Sequence, residues 1–162
     1  MHVSFARMFE ALKAFLKNPI ILSSLLSWFF SQFIKGIIVL FQIRKKGFKE
    51  FLEALFWRTG GMPSSHAAVV TSMTASVGFN EGIGSNLFAV SLLVALVVMR
   101  DAMGVRRAVG LQAKALNFLG SMTMGKHDVN FQPLKEISGH APLEVIAGAL
   151  LGFLISAAFA RR

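Results

Sequence analysis

The sequence predicts an all-α membrane protein, a polytopic bundle of about four transmembrane helices with further helices at the membrane surface. Of its 162 residues, 54% are hydrophobic and only 15% are charged. A mean hydropathy of +0.61 is too high for an ordinary soluble domain. Four apolar segments also recur along the chain. Residues 1–162 are expected to form a single membrane-embedded domain, since this length suits one domain.

Residues 1–18 are expected to form an interfacial amphipathic helix rather than a cleaved signal, because no small-residue cleavage site follows the apolar run. Their apolar side chains gather on one helical face, and the charged ones lie mostly elsewhere, which is typical of a helix on a membrane surface. The apolar residues are Phe5, Met8, Phe9, Leu12, Phe15 and Leu16.

The four apolar segments cover residues 20–43, 63–79, 87–99 and 142–160. The first has Lys35 as its only charge and is long enough to cross a membrane. The second is short and rich in serine, threonine and alanine, so we expect it to pack inside the protein rather than face lipid. The third continues past Arg100 and Asp101. The basic, aromatic stretch 44–58 is a candidate second interfacial helix, and residues 121–138 are predicted to be a loop.

The positive charge indicates which partners and which orientation to expect. A net charge of +9 and a pI of about 10.7 favour contact with anionic headgroups or a phosphorylated substrate over nucleic acid. Loops 43–62 and 100–141 hold eleven lysines and arginines, against five on the opposite side. The positive-inside rule then places these loops in the cytoplasm. The chain has no cysteine, which excludes disulfide and thiolate chemistry.

Two short stretches place a histidine where an apolar helix begins. Residues 60–66 read GGMPSSH, and residues 139–144 read GHAPLE. Ionisable groups at membrane depth are costly and usually functional, and a helix start offers free N–H groups to a phosphate. The alternative for the first stretch is a plain N-cap with an incidental His66. Gly60 and Gly61 favour the anion site, because they permit close backbone approach.

His140 and Glu144 share a helical face at i,i+4 and can form a hydrogen bond. A carboxylate on one imidazole nitrogen fixes the tautomer and leaves the other nitrogen as a nucleophile or base. The alternative is a surface pair at the membrane boundary. Glu144 lies in an otherwise uncharged apolar run, which argues against that alternative.

Lys35 lies on one helical stripe with Ser24, Ser27, Ser31 and Gln42. Snorkelling or ordinary interhelical hydrogen bonding would explain a lysine here. We favour a phosphate or carboxylate partner inside the bundle, because a cation at this depth is costly.

A second set of cations follows the third apolar segment. Four residues fall on one predicted helical stripe, namely Arg100, Gly104, Arg107 and Lys114. Asp101 and Arg106 lie beside them. Arginine suits bidentate phosphate binding, and the alternative is a solvated helix end that obeys the positive-inside rule.

Gly148 and Gly152 form a small-xxx-small pair that serves close helix packing. The pair suits a contact between chains or, alternatively, packing inside one chain against the small residues of the second segment. Because four spans offer few surfaces to enclose a polar site, we expect a homodimer or higher homo-oligomer.

In their order along the chain, these motifs resemble the type-2 phosphatidic acid phosphatase superfamily, which includes the vanadium haloperoxidases. The resemblance is to its divergent, short bacterial and plastid branch. The matching parts are residues 32–35 (QFIK), 59–66, 101–107 (DAMGVRR) and 134–152. The chain departs from the superfamily at Ser65, where glycine is usual, and at Glu144, where aspartate is usual. Gln42 and Leu134 stand where two arginines are expected.

The resemblance implies a metal-independent membrane phosphatase with no cofactor. Its substrate would be a lipid phosphate of the phosphatidate, phosphatidylglycerophosphate or polyprenyl (di)phosphate type, in a bacterial inner membrane or a plastid membrane. His140 would attack phosphorus and form a phosphohistidine, Glu144 would orient His140, and His66 would protonate the leaving oxygen and later activate water. The implied phosphate-binding residues are Ser64, Ser65, Lys35, Arg106, Arg107 and Lys135, with Asp101, Gly61 and Gly139 in supporting roles.

Two other classes of function stay open. One is a non-catalytic transporter or anion-binding membrane protein, in which histidines and arginines line a path. The other is a metal-dependent hydrolase, which no compact ligand spacing supports beyond the single i,i+4 pair. Its candidate ligands are His66, Asp101, His127, Asp128, His140 and Glu144.

Overall fold

A computed structural model describes residues 5–42, 61–123, 131–134, 136 and 139–160. This part of the chain contains six helices and no strand. The helices are α1 (Phe5–Lys17), α2 (Pro19–Gln42), α3 (Ser65–Glu81), α4 (Asn86–Met103), α5 (Val105–Thr123) and α6 (Pro142–Phe159). The predicted all-α membrane bundle is confirmed. The stretch 44–58 and Lys135 lie outside the described residues.

Short polar side chains start the helices of the bundle. The Asn18 side chain accepts a hydrogen bond from the Ile20 amide at 2.9 Å, just as α2 begins. Ser64 and Ser85 are the N-caps of α3 and α4. α6 instead begins with a proline in its first turn, and Glu144 lies in the same turn. Each side-chain cap satisfies one of the free N–H groups at its helix start, for which lipid offers no partner.

Helix α3 lies at the centre of the bundle, in contact with α2, α4 and α6. It has 17 residues, and its buried side chains are small. Such residues let three neighbouring helices approach closely. The prediction that this segment packs inside the protein is therefore confirmed. Three other stretches are long and apolar enough to cross a membrane, namely Pro19–Ile38, Asn86–Met122 and Pro142–Phe159.

The glycines of α6 bring it against α3, and the two helices run parallel. A Cβ on Gly148 would overlap the Ser64 carbonyl oxygen, and one on Gly152 would overlap the Ala68 carbonyl oxygen. The small-xxx-small pair thus serves packing within one chain. Parallel packing also places the starts of α3 and α6 at the same end of the bundle, which we call the site end.

A side chain at position 152 is expected to weaken the fold. Gly152→Ala forces α3 and α6 apart, which should lower the free energy of unfolding by about 1–3 kcal/mol, with a larger loss for leucine. Thermal unfolding in detergent measures this, and Gly84→Ala is the control, because a Cβ there meets open space. A changed oligomeric mass without loss of stability would instead place Gly152 at a contact between chains.

The third apolar segment does not continue as one helix. α4 ends at Met103, and Gly104 has φ −98° and ψ −86°, which is outside the helical region. α5 then starts at Val105. The predicted stripe of Arg100, Gly104, Arg107 and Lys114 therefore crosses a break in the helix at Gly104, and the common face of these residues stays a prediction.

Helix α1 has the amphipathic pattern expected for a surface helix. Its apolar side chains are all exposed, from Phe9 at 51% to Phe5 at 77%. Of the described helices, only α2 touches it. The prediction that α1 lies on a membrane surface stays a prediction.

Candidate active site

The site end of the bundle brings together residues from four helices. His66 lies in the first turn of α3, and His140 immediately precedes the start of α6. Their ring centroids are 6.2 Å apart, with the ring planes inclined by 62°. Lys35 reaches this end from α2, and Ala102 reaches it from the last turn of α4. Two histidines that are 74 positions apart in the sequence thus lie within reach of one small ligand.

Backbone and side-chain hydrogen bonds hold His140 in place. Its amide donates to the Ala102 carbonyl oxygen at 3.0 Å, and its side chain is 3% exposed. Its Nδ1 lies 2.8 Å from Oε2 of Glu144. The same carboxylate oxygen accepts from the Ala141 amide at 3.3 Å. With Nδ1 engaged by a carboxylate, Nε2 is left as the basic, nucleophilic nitrogen of the ring.

Glu144 also connects the two helix starts through its backbone. Its carbonyl oxygen accepts a hydrogen bond from the Ser64 amide at 2.8 Å. The Ser64 hydroxyl accepts from the Ala67 amide at 3.4 Å, and Ser64 is fully buried. The Ser64 amide is thus engaged within the protein, and its hydroxyl oxygen caps α3. Ser64 fixes the start of α3 relative to α6.

The next residue of α3 is better placed to meet an anion. The Ser65 hydroxyl accepts a hydrogen bond from Lys35 Nζ at 3.3 Å, and Lys35 is only 3% exposed. Within the described part of the chain, the amides of Ser65 and His66 have no acceptor. A buried cation, a hydroxyl and two free amides therefore meet at a helix start, where the dipole favours negative charge.

Asp101 and Arg106 form an ion pair across the α4–α5 break. Arg106 Nε lies 2.8 Å from Asp101 Oδ2, and both side chains are partly exposed. Both are close enough to interact electrostatically with His66, as are Lys35 and His140. Asp101 thus orients one of the two candidate arginines at the site. An open pocket of about 520 Å³ lies at this break, lined by Arg100, Asp101, Met103, Gly104 and Val105.

Arg107, the other candidate arginine, contacts the site through its backbone. A Cβ on Gly139 would overlap the Arg107 Cα and amide nitrogen, so the chain leading into His140 lies directly against the start of α5. This close approach requires a glycine. The Arg107 side chain is exposed. Gly61 has φ +84°, which L side chains rarely adopt, so its contribution is the turn before α3.

Two contacts of the site were missed by sequence reasoning. The Ala102 carbonyl oxygen holds the His140 amide, and Asn117 of α5 binds the chain ahead of His140 at Leu134. Both join residues far apart in the sequence, and neither residue belongs to a local motif.

A metal-dependent hydrolase would need several metal-ligating side chains close together. Among residues 5–42, 61–123, 131–134, 136 and 139–160, no group of three or more His, Asp or Glu side chains is placed to hold a metal ion. His127 and Asp128, which belong to the metal-dependent alternative, lie outside these ranges. The choice between the two hydrolase mechanisms therefore needs a chelator experiment.

Comparison with known proteins shows the family of the chain. A family model described as the divergent PAP2 family matches residues 16–155. The chain belongs to the divergent PAP2 family. It is also 38% identical over 152 residues to a protein of Bacillus subtilis (strain 168) described as uncharacterized membrane protein YuiD, a match that covers 87% of this chain and 93% of the relative. No solved structure matches the chain significantly.

The family match and the relative identify the chain as an integral membrane protein related to a phosphatase-like superfamily. The matched region begins near the end of α1 and includes all the residues placed at the site end. His66, His140 and Glu144 therefore lie within the matched region. What they do chemically follows from their geometry and has to be tested.

Proposed function

We propose that the protein is a metal-independent membrane phosphohydrolase that removes phosphate from a lipid phosphate through a phosphohistidine at His140. The observation that carries the proposal is the 2.8 Å contact between His140 Nδ1 and Glu144, made next to a second histidine at a parallel helix start. Membership in the divergent PAP2 family supports it. A histidine oriented by a carboxylate and flanked by a second titratable group is an arrangement for covalent catalysis.

The first step transfers phosphate to the enzyme. Nε2 of His140 forms a bond to phosphorus while the bond from phosphorus to the leaving oxygen breaks. His66, protonated at the start, gives its proton to that oxygen, and the dephosphorylated lipid departs. Glu144 offsets the positive charge that the His140 ring acquires.

The second step hydrolyses the intermediate. His66, now neutral, takes a proton from a water molecule as the water oxygen attacks phosphorus. The nitrogen–phosphorus bond breaks, inorganic phosphate leaves, and both histidines return to their initial states. Lys35, Arg106 and the first amides of α3 would stabilise the charge on the phosphoryl oxygens in both steps. Arg107 and Lys135 remain further candidates for this binding role.

The substrate class follows from the membrane setting. The site lies at the end of a bundle built from membrane-spanning helices, so a headgroup at the bilayer surface can reach it while its chains stay in lipid. The proposed substrates are phosphatidate, phosphatidylglycerophosphate or polyprenyl (di)phosphate. We further propose a bacterial inner membrane or plastid membrane with the site facing the cytoplasm. A cysteine at Lys114 that reacts with an impermeant thiol reagent in intact cells would reverse this orientation.

We also propose that the protein forms a homodimer or higher homo-oligomer. The remaining support is that few helices enclose the polar site, since Gly148 and Gly152 are used within one chain. Mass measurement in mild detergent tests it. An active, strictly monomeric species would remove the need for a partner chain.

Phosphate release in the presence of a chelator tests the proposed function. We expect purified protein to release inorganic phosphate from at least one lipid phosphate, unaffected by EDTA. Vanadate should inhibit release, because it mimics the five-coordinate phosphorus of each step. Loss of activity in EDTA that a divalent ion restores would favour the metal-dependent hydrolase. Binding of lipid phosphates without any release would favour the non-catalytic alternative.

A further inference from the structure

Helix α5 is amphipathic and stands apart from the bundle. Of the described helices, only α4 touches it. Its apolar side chains are exposed, at 61% for Leu111, 60% for Phe118 and 56% for Met122. An exposed apolar face of this kind marks a surface that binds a membrane or another protein.

The opposite face of α5 holds the chain segment that leads to His140. The Asn117 side-chain amide donates to the Leu134 carbonyl oxygen at 2.9 Å and to Glu136 Oε1 at 3.0 Å, and its oxygen accepts from the Leu134 amide at 2.8 Å. One turn further along, the Phe131 ring covers Gly120 so closely that a Cβ there would overlap it. At the other end of α5, Gly139 contacts Arg107. Phe131, Leu134 and Gly139 thus contact α5 at Gly120, Asn117 and Arg107, in the reverse order of the helix.

This non-helical segment fixes how α5 lies in the membrane. Its described residues 131–134 are non-helical, and those at 132–134 are exposed. Leu134 has its backbone amide and carbonyl bonded to Asn117, but among the described residues the backbone groups of residues 131–133 have no hydrogen-bond partner. Non-helical backbone of this kind is excluded from the hydrocarbon region where it faces lipid. A segment of this kind along the side of α5 is incompatible with α5 crossing the bilayer. It fits a helix parallel to the membrane plane at headgroup depth.

The charge of α5 favours an anionic membrane as the partner of its apolar face. The helix has three cations, Arg106, Arg107 and Lys114, and no acidic residue. Arg106 pairs with Asp101, whereas Arg107 and Lys114 are exposed. Exposed cations beside an apolar face are typical of helices that bind anionic membranes.

We propose that α5 is an in-plane helix that docks on the anionic lipid leaflet at the site end, with its apolar face among the acyl chains and Arg107 and Lys114 at headgroup phosphates. Docking would also hold the described residues that contact α5, Phe131, Leu134 and Gly139, the last of which directly precedes His140. The docking surface does not depend on the proposed chemistry.

Depth measurement with spin labels tests the placement of α5. The chain has no cysteine, so single cysteines can be labelled in the full-length protein in phosphatidylcholine–phosphatidylglycerol vesicles. Labels at Leu111→Cys, Phe118→Cys and Met122→Cys should lie at one common depth, about 5–10 Å below the headgroup boundary. Lys114→Cys and Ser121→Cys are the matched controls on the polar face and should lie nearer to water. Accessibility to oxygen and to a water-soluble nickel complex gives each depth.

Three results would overturn this placement. A helix that crosses the bilayer would separate the labels at positions 111 and 122 by about 16 Å in depth. A helix outside the membrane would leave all the labels fully accessible to the nickel complex. A second copy of the chain on the apolar face would exclude both reagents and broaden the spectra through label–label coupling.

A second comparison tests the anionic partner. The label at Leu111→Cys should move toward water, or become more mobile, in pure phosphatidylcholine vesicles and when Arg107→Gln and Lys114→Gln are added. Gln112→Ala, a neutral change on the same helix, should have no such effect. Equal depth and mobility in both lipids would contradict the anionic assignment. None of these readouts uses phosphate release, so failure here and failure of the proposed activity are distinguishable.

Discussion

Replacing His140 by alanine is expected to lower phosphate release by about 10⁴-fold or more, because the variant has no atom to form the bond to phosphorus. The protein should still insert into membranes, since the backbone hydrogen bond from residue 140 to Ala102 does not need the ring. Steady-state release from the best lipid phosphate measures the effect, and thermal unfolding in detergent shows that the variant is folded.

A matched pair of charge-removing variants sharpens this test. Glu144→Gln should lower turnover strongly, because the carboxylate that fixes the His140 tautomer is lost. Glu81→Gln is its control, because Glu81 is exposed at the far end of α3. Near-normal turnover of every substrate by His140→Ala would show that the nucleophile has been assigned wrongly.

Replacing His66 by alanine should have an effect that depends on the leaving group. A positioned general acid typically contributes about 10²–10⁴-fold, and this contribution matters most when the leaving oxygen is strongly basic. We therefore expect a large loss with lipid alkyl phosphates and a much smaller loss in the first step with activated aryl phosphates. Pre-steady-state measurements of alcohol or phenol release separate the first step from hydrolysis. Equal losses for both kinds of substrate would argue against proton donation by His66.

Local patterns in the sequence predicted the central helix and the histidine–carboxylate pair. The small residues of α3 predicted its enclosure, because only such residues allow three helices to approach it. The pairing of His140 with Glu144 follows from i,i+4 spacing at a helix start. The structure places this pair beside His66 because α3 and α6 run parallel. Four predicted crossings imply this, since they put the starts of the second and fourth segments on one side of the membrane.

Features that depend on contacts between residues far apart in the sequence could not be predicted from local patterns. An isolated glycine is tolerated inside a helical pattern, so Gly104 gave no sign that α4 ends before it. Arg106 pairs with Asp101 across this break. The pair Gly148 and Gly152 suits contacts within a chain and between chains equally well, and only the packed structure assigns it to α3.

Trapping the phosphoenzyme tests the central claim most directly. In the His66→Ala variant, an activated aryl phosphate should still phosphorylate the enzyme, while hydrolysis of the intermediate slows because its general base is missing. After an alkaline quench and proteolysis, mass spectrometry should then find a phosphoryl group on His140, and none in the His66→Ala, His140→Ala double variant. A phosphoryl group on another residue, or phosphate release at an undiminished rate with no phosphorylated protein, would contradict the account.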